Sequence, residues 1–386
     1  MSDVDNVQGH VATGFEGARD AFAANFSRDG DYREVGAAFA AFHRGRCVVD
    51  LWGGYRDRAR TRAWTRDTLV NVWSSTKGIV AAAAAMLVER GVLRYEDPIA
   101  KHWPDFAAAG KENITLALAL SHQAGLPGLV EPTSLADQWD WNGCCAKLAR
   151  QEPAWPPGTA TSYHAMTYGW IVGETLRRAS GRSIGNFARE EIAGPLGADI
   201  FIGLPESEEA RVAEMSPPIN PPDMSQLPLP DAARMAIANP VQDPLVPNSR
   251  AWRAAEIPAA NGQASAMGLA RIYAALANAG VLDGVRLLKP ESIARMTTPA
   301  TSNGRKDMFL GFIDCWSMGM ALNTPGIYGP NARAFGHSGW GGSFGCADPD
   351  AGIAIGYVCN QMGPGLVGDP RTAGLCAAVL SCAAQR

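Results

Sequence analysis

The tetrad Ser74-Ser75-Thr76-Lys77 brings a hydroxyl and an amine together at the start of a predicted buried helix. Residues three positions apart share a helix face, so the side chains of Ser74 and Lys77 can meet. The helix N-terminus and burial both disfavour a charged amine, and a neutral lysine can take the proton of a serine. Taken alone, such a tetrad is more often a helix cap followed by a surface lysine, so other motifs must decide.

Two later segments carry further candidate side chains. Tyr163 lies just after a Pro-Gly turn, and the run from Phe335 to Gly342 leads into a predicted C-terminal hairpin. Together with the Ser74 tetrad, and in this order, these motifs resemble the serine β-lactamase and penicillin-binding protein superfamily. Class C β-lactamases and family VIII carboxylesterases are the most similar branches. The resemblance extends from about residue 35 to the C-terminus and includes the stretches 91–99 and 120–127.

The resemblance implies a role for each of these residues. Ser74 would be the nucleophile and Lys77 its partner, while Tyr163, held near its phenolate form by Lys77, would act as general base and later as acid. The backbone N–H groups of Ser74 and Trp340 would form the oxyanion hole. Substrate binding would fall to one strand, at His337, Ser338, Gly339 and Trp340. The resemblance implies no cofactor.

Two departures from the class C pattern bear on the substrate. Tyr163-His164-Ala165 lacks the asparagine of the usual Tyr-x-Asn, and His337 stands where a Lys-Thr-Gly motif has its lysine. A histidine of ordinary pKa, about 6.5, is mostly neutral at pH 7 and gives a lactam carboxylate no fixed positive partner. We therefore predict a serine carboxylesterase that hydrolyses short-chain neutral esters through an acyl-enzyme on Ser74.

Several alternatives use the same serine, lysine and tyrosine. A β-lactamase, a D-alanyl or linear-amide hydrolase and an acyltransferase all share this scaffold. A catalytically silent binding module is an alternative from another class, and the intact set of three residues argues against it. The sequence does not give the natural ester, the acyl-chain preference or the oligomeric state.

A second serine could act as the nucleophile, and the remaining histidines could bind a metal. Gly341-Gly342-Ser343-Phe344-Gly345 matches the G-x-S-x-G elbow of α/β-hydrolases, which should follow a strand and open a helix. Here the motif leads into a strand, and no histidine follows it that could complete a triad, because His337 is the last histidine of the chain. Ser343 is therefore predicted to lie on a glycine-rich strand edge beside the cleft, without a catalytic role. No other histidine pairs with a His or Cys at metal-binding spacing, so we expect no metal site.

Composition limits the partners and the compartment. The chain has 386 residues, 47% of them hydrophobic and 19% charged, with a formal net charge of −4. Without a basic excess, nucleic acid is not an expected partner. The longest apolar runs are too short to span a bilayer, and no signal peptide is apparent, so a cytoplasmic enzyme with a small-molecule ester substrate and no membrane partner is predicted. The eight cysteines lack C-x-x-C spacing, which favours free thiols.

Hydrophobic periodicity predicts the elements that position these residues. Alternating apolar residues predict strands at 36–42 and 47–52 and a hairpin of 343–347 with 353–359. Spacings of three and four predict helices over the first 30 residues, over 74–90, through much of 114–204, and over 268–279 and 372–384. Between them, the nine prolines of 216–248 predict a linker or a long loop with no regular helix.

Strands at both ends with helices between them predict the fold class. We expect an α/β (α+β) protein of the β-lactamase-like fold, in which both termini build one antiparallel sheet flanked by helices. The predicted domains are a discontinuous sheet domain, 1–80 with 260–386, and an inserted, mainly helical lobe, 81–259. A cleft between the two would hold the active site.

Overall fold

Strands from both ends of the chain form the main sheet of the computed structural model, which describes residues 7–221, 223, 226, 228–301, 306–311, 316–324 and 326–385. The strands are β1 (Gln8–Val11), β2 (Gly36–His43), β3 (Arg46–Gly54), β4 (Val70–Asn71), β5 (Ile200–Phe201), β6 (Gln263–Ala264), β7 (Val281–Leu282), β8 (Val285–Arg286), β9 (Ala321–Leu322), β10 (Phe335–Ser338), β11 (Phe344–Asp348) and β12 (Ile353–Cys359). The helices are α1 (Glu16–Phe26), α2 (Thr76–Glu89), α3 (Leu116–Leu120), α4 (Trp141–Arg150), α5 (Thr167–Ser180), α6 (Ile184–Ala188), α7 (Gly194–Leu196), α8 (Asp231–Ala238), α9 (Arg250–Ala254), α10 (Ala266–Ala277), α11 (Pro290–Met296) and α12 (Pro370–Ala384).

The main sheet has seven strands in the order β1-β3-β2-β12-β11-β10-β9. Every neighbouring pair is antiparallel. The N-terminal and C-terminal strands meet at β2 and β12, where Phe39 lies opposite Tyr357. The predicted antiparallel sheet built from both termini is therefore confirmed.

Helices cover both faces of this sheet. Alternate residues of a strand point to opposite faces, and those of β2 enter two different buried clusters. Ala38, Ala40 and Phe42 pack in the cluster that holds α2 and α10, whereas Phe39 packs with α1 and α12. Because both faces are apolar and covered, β2 is buried along nearly its whole length. Helix α2 and Phe335 of β10 lie together in the first of these clusters.

Two of the predicted elements differ from the structure. The helix predicted over the first 30 residues is confined to Glu16–Phe26, because residues 8–11 pair with β3 and complete the edge of the sheet. Within 216–248, residues 231–238 form helix α8, so the prediction of no regular helix there is wrong. The nearest prolines lie on either side of α8, at Pro230 and Pro240, and the nine residues between them contain no proline. Residues 222, 224, 225 and 227 of that segment lie outside the described part of the chain.

The position of α2 follows from its composition. Twelve of its fourteen residues are buried, with alanines 81–85 allowing close approach of neighbouring helices. It contacts α5 and α11 on one side and the sheet strand β10 on another. The division into domains at residues 80 and 260 stays a prediction. In the described part of the chain, no helix has the length and apolar character that crossing a membrane requires.

Candidate active site

Ser74 lies in a tight, strained turn directly before helix α2. A short 3₁₀ turn over 73–75 precedes the helix, and Trp73 adopts a φ of +45°, which is rare for a residue with a side chain. The turn is held because Thr76 Oγ1 donates to the Trp73 carbonyl at 2.5 Å and Ser75 N donates to the Val72 carbonyl at 3.0 Å. Backbone strain of this kind is found where a functional side chain must be presented at one position.

Lys77 reaches Ser74 from the first turn of α2. Its side chain is fully buried, and Nζ lies 3.2 Å from Ser74 Oγ. The amine also donates to the carbonyls of Ala165 at 2.8 Å and Ala259 at 3.0 Å. Desolvation lowers the pKa of Lys77 well below its ordinary 10.5. A neutral amine has two N–H bonds, which the carbonyls use, and one lone pair, which is left to face the serine hydroxyl.

Tyr163 completes the group of three from the non-helical stretch that precedes α5. Tyr163 lines the same pocket as Ser74, and although its interaction with the Ser74 side chain lowers the pKa of its hydroxyl, burial has the larger effect and raises that pKa. Lys77 Nζ lies over the ring, 4.7 Å from its centroid. This direction runs against the expectation of a resting phenolate, since burial favours the protonated phenol.

Aromatic residues and one acid hold Tyr163 in place. Trp316 stacks on its ring at 5.5 Å and 15°, and Phe309 does so at 6.2 Å. The Asp307 carboxylate accepts the backbone N–H groups of Tyr163, Phe309 and Leu310 at 3.2, 2.9 and 2.9 Å. Burial raises the pKa of Asp307 to about 6, while these hydrogen bonds oppose the rise. Asp307 thus joins its loop to the Tyr163 backbone.

His122 lies behind Tyr163 and was not among the predicted site residues. It is fully buried with a φ of +62°, and its ring centroid lies 4.7 Å from that of Tyr163 and 4.4 Å from that of Trp316. Its Nδ1 accepts the backbone N–H of His164 at 3.2 Å, and burial lowers its pKa well below 6.5. A neutral His122 therefore carries its proton on Nε2. The only signal in the sequence was the place of His122 in the stretch 120–127.

His337 and its neighbours bring β10 against the nucleophile turn. Burial, and then the Lys77 amine, lowers the pKa of His337 to about 3, and its Nδ1 lies 2.8 Å from the Ser338 carbonyl. The ring therefore donates through Nδ1 and leaves Nε2 as an acceptor without a positive charge. A Cβ on Gly339 would lie 2.2 Å from the Val72 carbonyl, so only glycine permits this approach of the strand end.

Ser343, the second candidate nucleophile, faces away from the chemistry. Its buried hydroxyl donates to the Val72 carbonyl at 2.7 Å and lies 3.3 Å from Ser75 Oγ. Its hydrogen is thus committed to the backbone of the Ser74 turn. Ser343 thus joins the glycine-rich strand edge to the Ser74 turn.

A narrow, largely apolar pocket of about 20 Å³ opens at Ser74. Trp340 also lines the pocket and packs on Trp73, with ring centroids 5.0 Å apart. The other lining residues are mostly hydrophobic: Tyr163, Leu310, Trp316, Ala321, Ile327, Tyr328, His337, Ser338, Leu366 and Val367. Of the predicted site residues, Ser74, Tyr163, His337, Ser338 and Trp340 line the pocket, Lys77 contacts Ser74 from behind it, and Gly339 packs against the Ser74 turn. Among the described residues, no group of three His, Cys, Asp or Glu side chains is placed to hold a metal ion.

Comparison with known proteins finds one family and several full-length relatives. Residues 19–378 match the Beta-lactamase family. The chain is 35% identical to Esterase/beta-lactamase LipL of Mycobacterium tuberculosis, over 85% of this chain and 77% of that protein. The crystal structure of a family VIII carboxylesterase is similar, with 47% identity, a TM-score of 0.91 and coverage of 97% of this chain and 99% of that one. A penicillin-binding protein homolog from Caulobacter crescentus is 41% identical, with a TM-score of 0.90 over 98% of this chain and 100% of that one.

Proposed function

The chain belongs to the Beta-lactamase family and is a serine hydrolase of that fold, and from this premise we propose that it is a carboxylesterase acting on short-chain neutral esters. In this proposal Ser74 forms the acyl-enzyme, with Lys77 and Tyr163 as its acid–base pair. The names of two relatives, a family VIII carboxylesterase and an esterase/β-lactamase, support the reaction class. A cytoplasmic location stays a prediction.

The observation that carries the proposal is the hydrogen bonding of the Lys77 amine. Two backbone carbonyls orient Nζ, and burial favours the neutral amine, whose lone pair then faces Ser74 Oγ at 3.2 Å. As Ser74 Oγ bonds to the ester carbonyl carbon, Lys77 takes the hydroxyl proton. The backbone N–H groups of Ser74 and Trp340 would stabilise the oxyanion, each contributing about 10²- to 10³-fold.

Collapse of that tetrahedral intermediate breaks the bond to the alcohol oxygen. The phenol of Tyr163, which lines the pocket beside Ser74, gives its proton to the leaving alkoxide. A phenolate beside a protonated lysine remains, and the phenolate then takes a proton from the attacking water. When the second intermediate collapses, Lys77 returns its proton to Ser74, so acid and free enzyme result with all protons accounted for.

The preference for neutral esters follows from what lies opposite Ser74. His337 supplies an uncharged acceptor where a lactam carboxylate would require a cation, because burial holds its pKa near 3. The pocket is apolar and narrow, which suits a short acyl or alcohol group. Hydrolysis of β-lactams, D-alanyl or linear amides, and acyl transfer to an added alcohol, are the alternatives that the same three residues could serve.

A burst experiment tests the proposal. A short-chain p-nitrophenyl ester should release one equivalent of nitrophenol per active site in a burst, and the peptide containing Ser74 should gain the acyl mass. Ser74→Ala should fall to background, whereas Ser343→Ala, the matched control, should keep most of the activity. Loss of activity in a folded Ser343→Ala together with an active Ser74→Ala would overturn the assignment. A kcat/KM for nitrocefin larger than that for the ester would favour the β-lactamase alternative.

A further inference from the structure

A fully buried arginine lies behind the glycine turn that carries Trp340. Arg371, in the first turn of α12, has no exposed surface and does not line the pocket. Its guanidinium pairs with both carboxylate oxygens of Asp369, at 3.0 and 2.7 Å, and with Glu34 at 3.2 Å. The acidic groups of Asp369 and Glu34 would be sufficient to balance the positive charge of the buried guanidinium, but Arg371 also makes two further hydrogen bonds.

Those two bonds go to backbone carbonyls around the pocket. Arg371 Nη2 donates to the Gly341 carbonyl at 2.7 Å, and Nη1 donates to the Gln361 carbonyl at 2.9 Å. Gly341 is the residue directly after Trp340. By donating a hydrogen bond to this carbonyl, the buried guanidinium fixes the peptide plane at one end of the Trp340 turn.

Backbone hydrogen bonds hold this turn together with the guanidinium: Gly341 N donates to the Gly365 carbonyl at 3.2 Å, and the Gly341 carbonyl also accepts the Gly363 N–H at 2.9 Å. Gly341 and Gly342 have φ of +88° and +124°, and glycine has the largest conformational freedom of any residue. A Cβ on Gly342 would lie 2.5 Å from Arg371 Nη2, so the turn rests directly on the guanidinium. At its other end, Gly339 N donates to the Ser343 carbonyl at 2.7 Å. Trp340 is thus held between two anchored residues.

We propose that Arg371 is a positioning residue for the oxyanion hole, acting through the Gly341 carbonyl on the backbone N–H of Trp340. The inference rests on the proposed function, because it requires the Trp340 N–H to stabilise the transition state. An oxyanion donor is effective only when it is fixed where the charge develops, and a displacement of about 1 Å is costly. Lysine cannot replace the planar fork that reaches two carboxylates and two carbonyls at once.

Arg371→Lys tests this inference, with rates expressed per active site titrated by the nitrophenol burst. We expect kcat to fall about 10- to 100-fold with KM within about threefold, since the donor acts in the transition state. Affinity for a small alkyl trifluoromethyl ketone, whose adduct carries an oxyanion, should weaken by the same factor as kcat. A purely structural arginine would lower the yield and the melting temperature and leave both of these quantities unchanged.

Arg253→Lys is the matched control. Arg253 resembles Arg371 in its bonding. Its Nε and Nη2 donate to the Glu209 carboxylate at 2.9 and 2.6 Å, and its Nη1 donates to the Pro247 carbonyl at 2.9 Å. Its substitution should leave kcat and ketone affinity within about twofold.

A milder variant applies if Arg371→Lys does not fold. Asp369→Asn loosens the fork while retaining the arginine, and it should lower kcat at least about threefold with KM unchanged. Unchanged kcat and ketone affinity in folded Arg371→Lys or Asp369→Asn would overturn the inference. A wild-type protein without a burst or an acylated Ser74 would instead overturn the proposed function.

Discussion

The molecule contains two fully buried lysines, Lys77 and Lys111, and they differ in the number of carbonyls around the amine. Lys111 Nζ donates to three backbone carbonyls, those of Ala108, Ala149 and Gln151, at 2.6, 3.0 and 2.5 Å. Lys77 Nζ has only two carbonyl partners, and its third neighbour is the hydroxyl of Ser74.

The difference decides what each amine can do. An ammonium group has three N–H bonds, so the Lys111 site is complete only when that lysine is charged. Burial lowers the pKa of Lys111 too, although Glu152 opposes the shift. Around Lys77 the pKa lies well below 10.5 and no carboxylate opposes the effect of burial. Burial alone therefore does not make a lysine a base; a missing acceptor, filled by a nucleophile, does.

Replacing each lysine by methionine should separate these roles most strongly. Lys77→Met should lower kcat for a short-chain ester by about 10²-fold or more, because the serine loses its base. Lys111→Met should leave kcat per titrated site within about twofold and lower the melting temperature, because three buried carbonyls lose their donor. Steady-state kinetics and thermal unfolding of both variants would measure the contrast. Equal losses of kcat would remove the distinction between the two sites.

The partnership of Lys77 with Tyr163 can be examined by a double-mutant cycle. Tyr163→Phe should also cost about 10²-fold in kcat, since the leaving alcohol loses its proton donor. Lys77→Met combined with Tyr163→Phe should cost little beyond the worse single change, because groups that act as one unit are not additive. Fully additive losses would mean that the proton transfers of Lys77 and Tyr163 are energetically independent, and would contradict their action as one acid–base pair.

A new positive charge at β10 should change the substrate preference by a smaller factor. His337→Lys should raise kcat/KM for a carboxylate-bearing β-lactam about tenfold, which is the size of one charge-assisted hydrogen bond. For a neutral ester, kcat/KM should not rise.

The wild type should hydrolyse the ester with a rate that rises from about pH 6 to a plateau near pH 8–9 as Lys77 becomes neutral. Its turnover of the lactam should stay slow over the same pH range. Fast lactam turnover by the wild type would contradict the charge argument.

The smallest effect concerns stability and pH. The folded-state pKa of Lys77 lies below the ordinary 10.5, so between the two values the unfolded chain binds a proton that the folded chain does not. The free energy of unfolding should therefore rise with pH across that window, and the gain should disappear in Lys77→Met. Urea unfolding at intervals from pH 7 to about pH 10 would measure the difference. Lys111→Met should change the pH dependence of the free energy of unfolding less than Lys77→Met does. If both variants changed that dependence by the same amount, the comparison of the two lysines would be contradicted.

The parts of the fold that follow short-range patterns were predictable. The alternating apolar residues of 353–359 and the polyalanine run of α2 carry their periodicity within one element, so the sheet from both termini and the buried helix could be inferred. The edge strand 8–11 carries four residues with little apolar alternation, and its conformation depends on pairing with β3.

The supporting residues of the candidate site could not be predicted for a similar reason. Asp307 reaches the Tyr163 backbone across 144 positions, and Arg371 reaches Gly341 across 30. Neither residue belongs to a local motif, and an isolated Asp or Arg is most often at the surface. Lys77 and Ser74 were found because they share one helical turn. The raised pKa of Tyr163 could not be predicted, because its burial depends on Trp316 and Phe309, which are distant in sequence.

The ionisation of Lys77 tests the central claim most directly. The chain has only six lysines, so selective ¹³Cε labelling would give a readable NMR titration, with Lys77→Met and Lys111→Met assigning the two buried signals. The account predicts that the Lys77 amine is neutral at pH 8 and titrates well below 10.5, while the Lys111 amine is charged at that pH. A Lys77 signal that remains that of an ammonium group up to pH 10 would contradict its role as the base for Ser74.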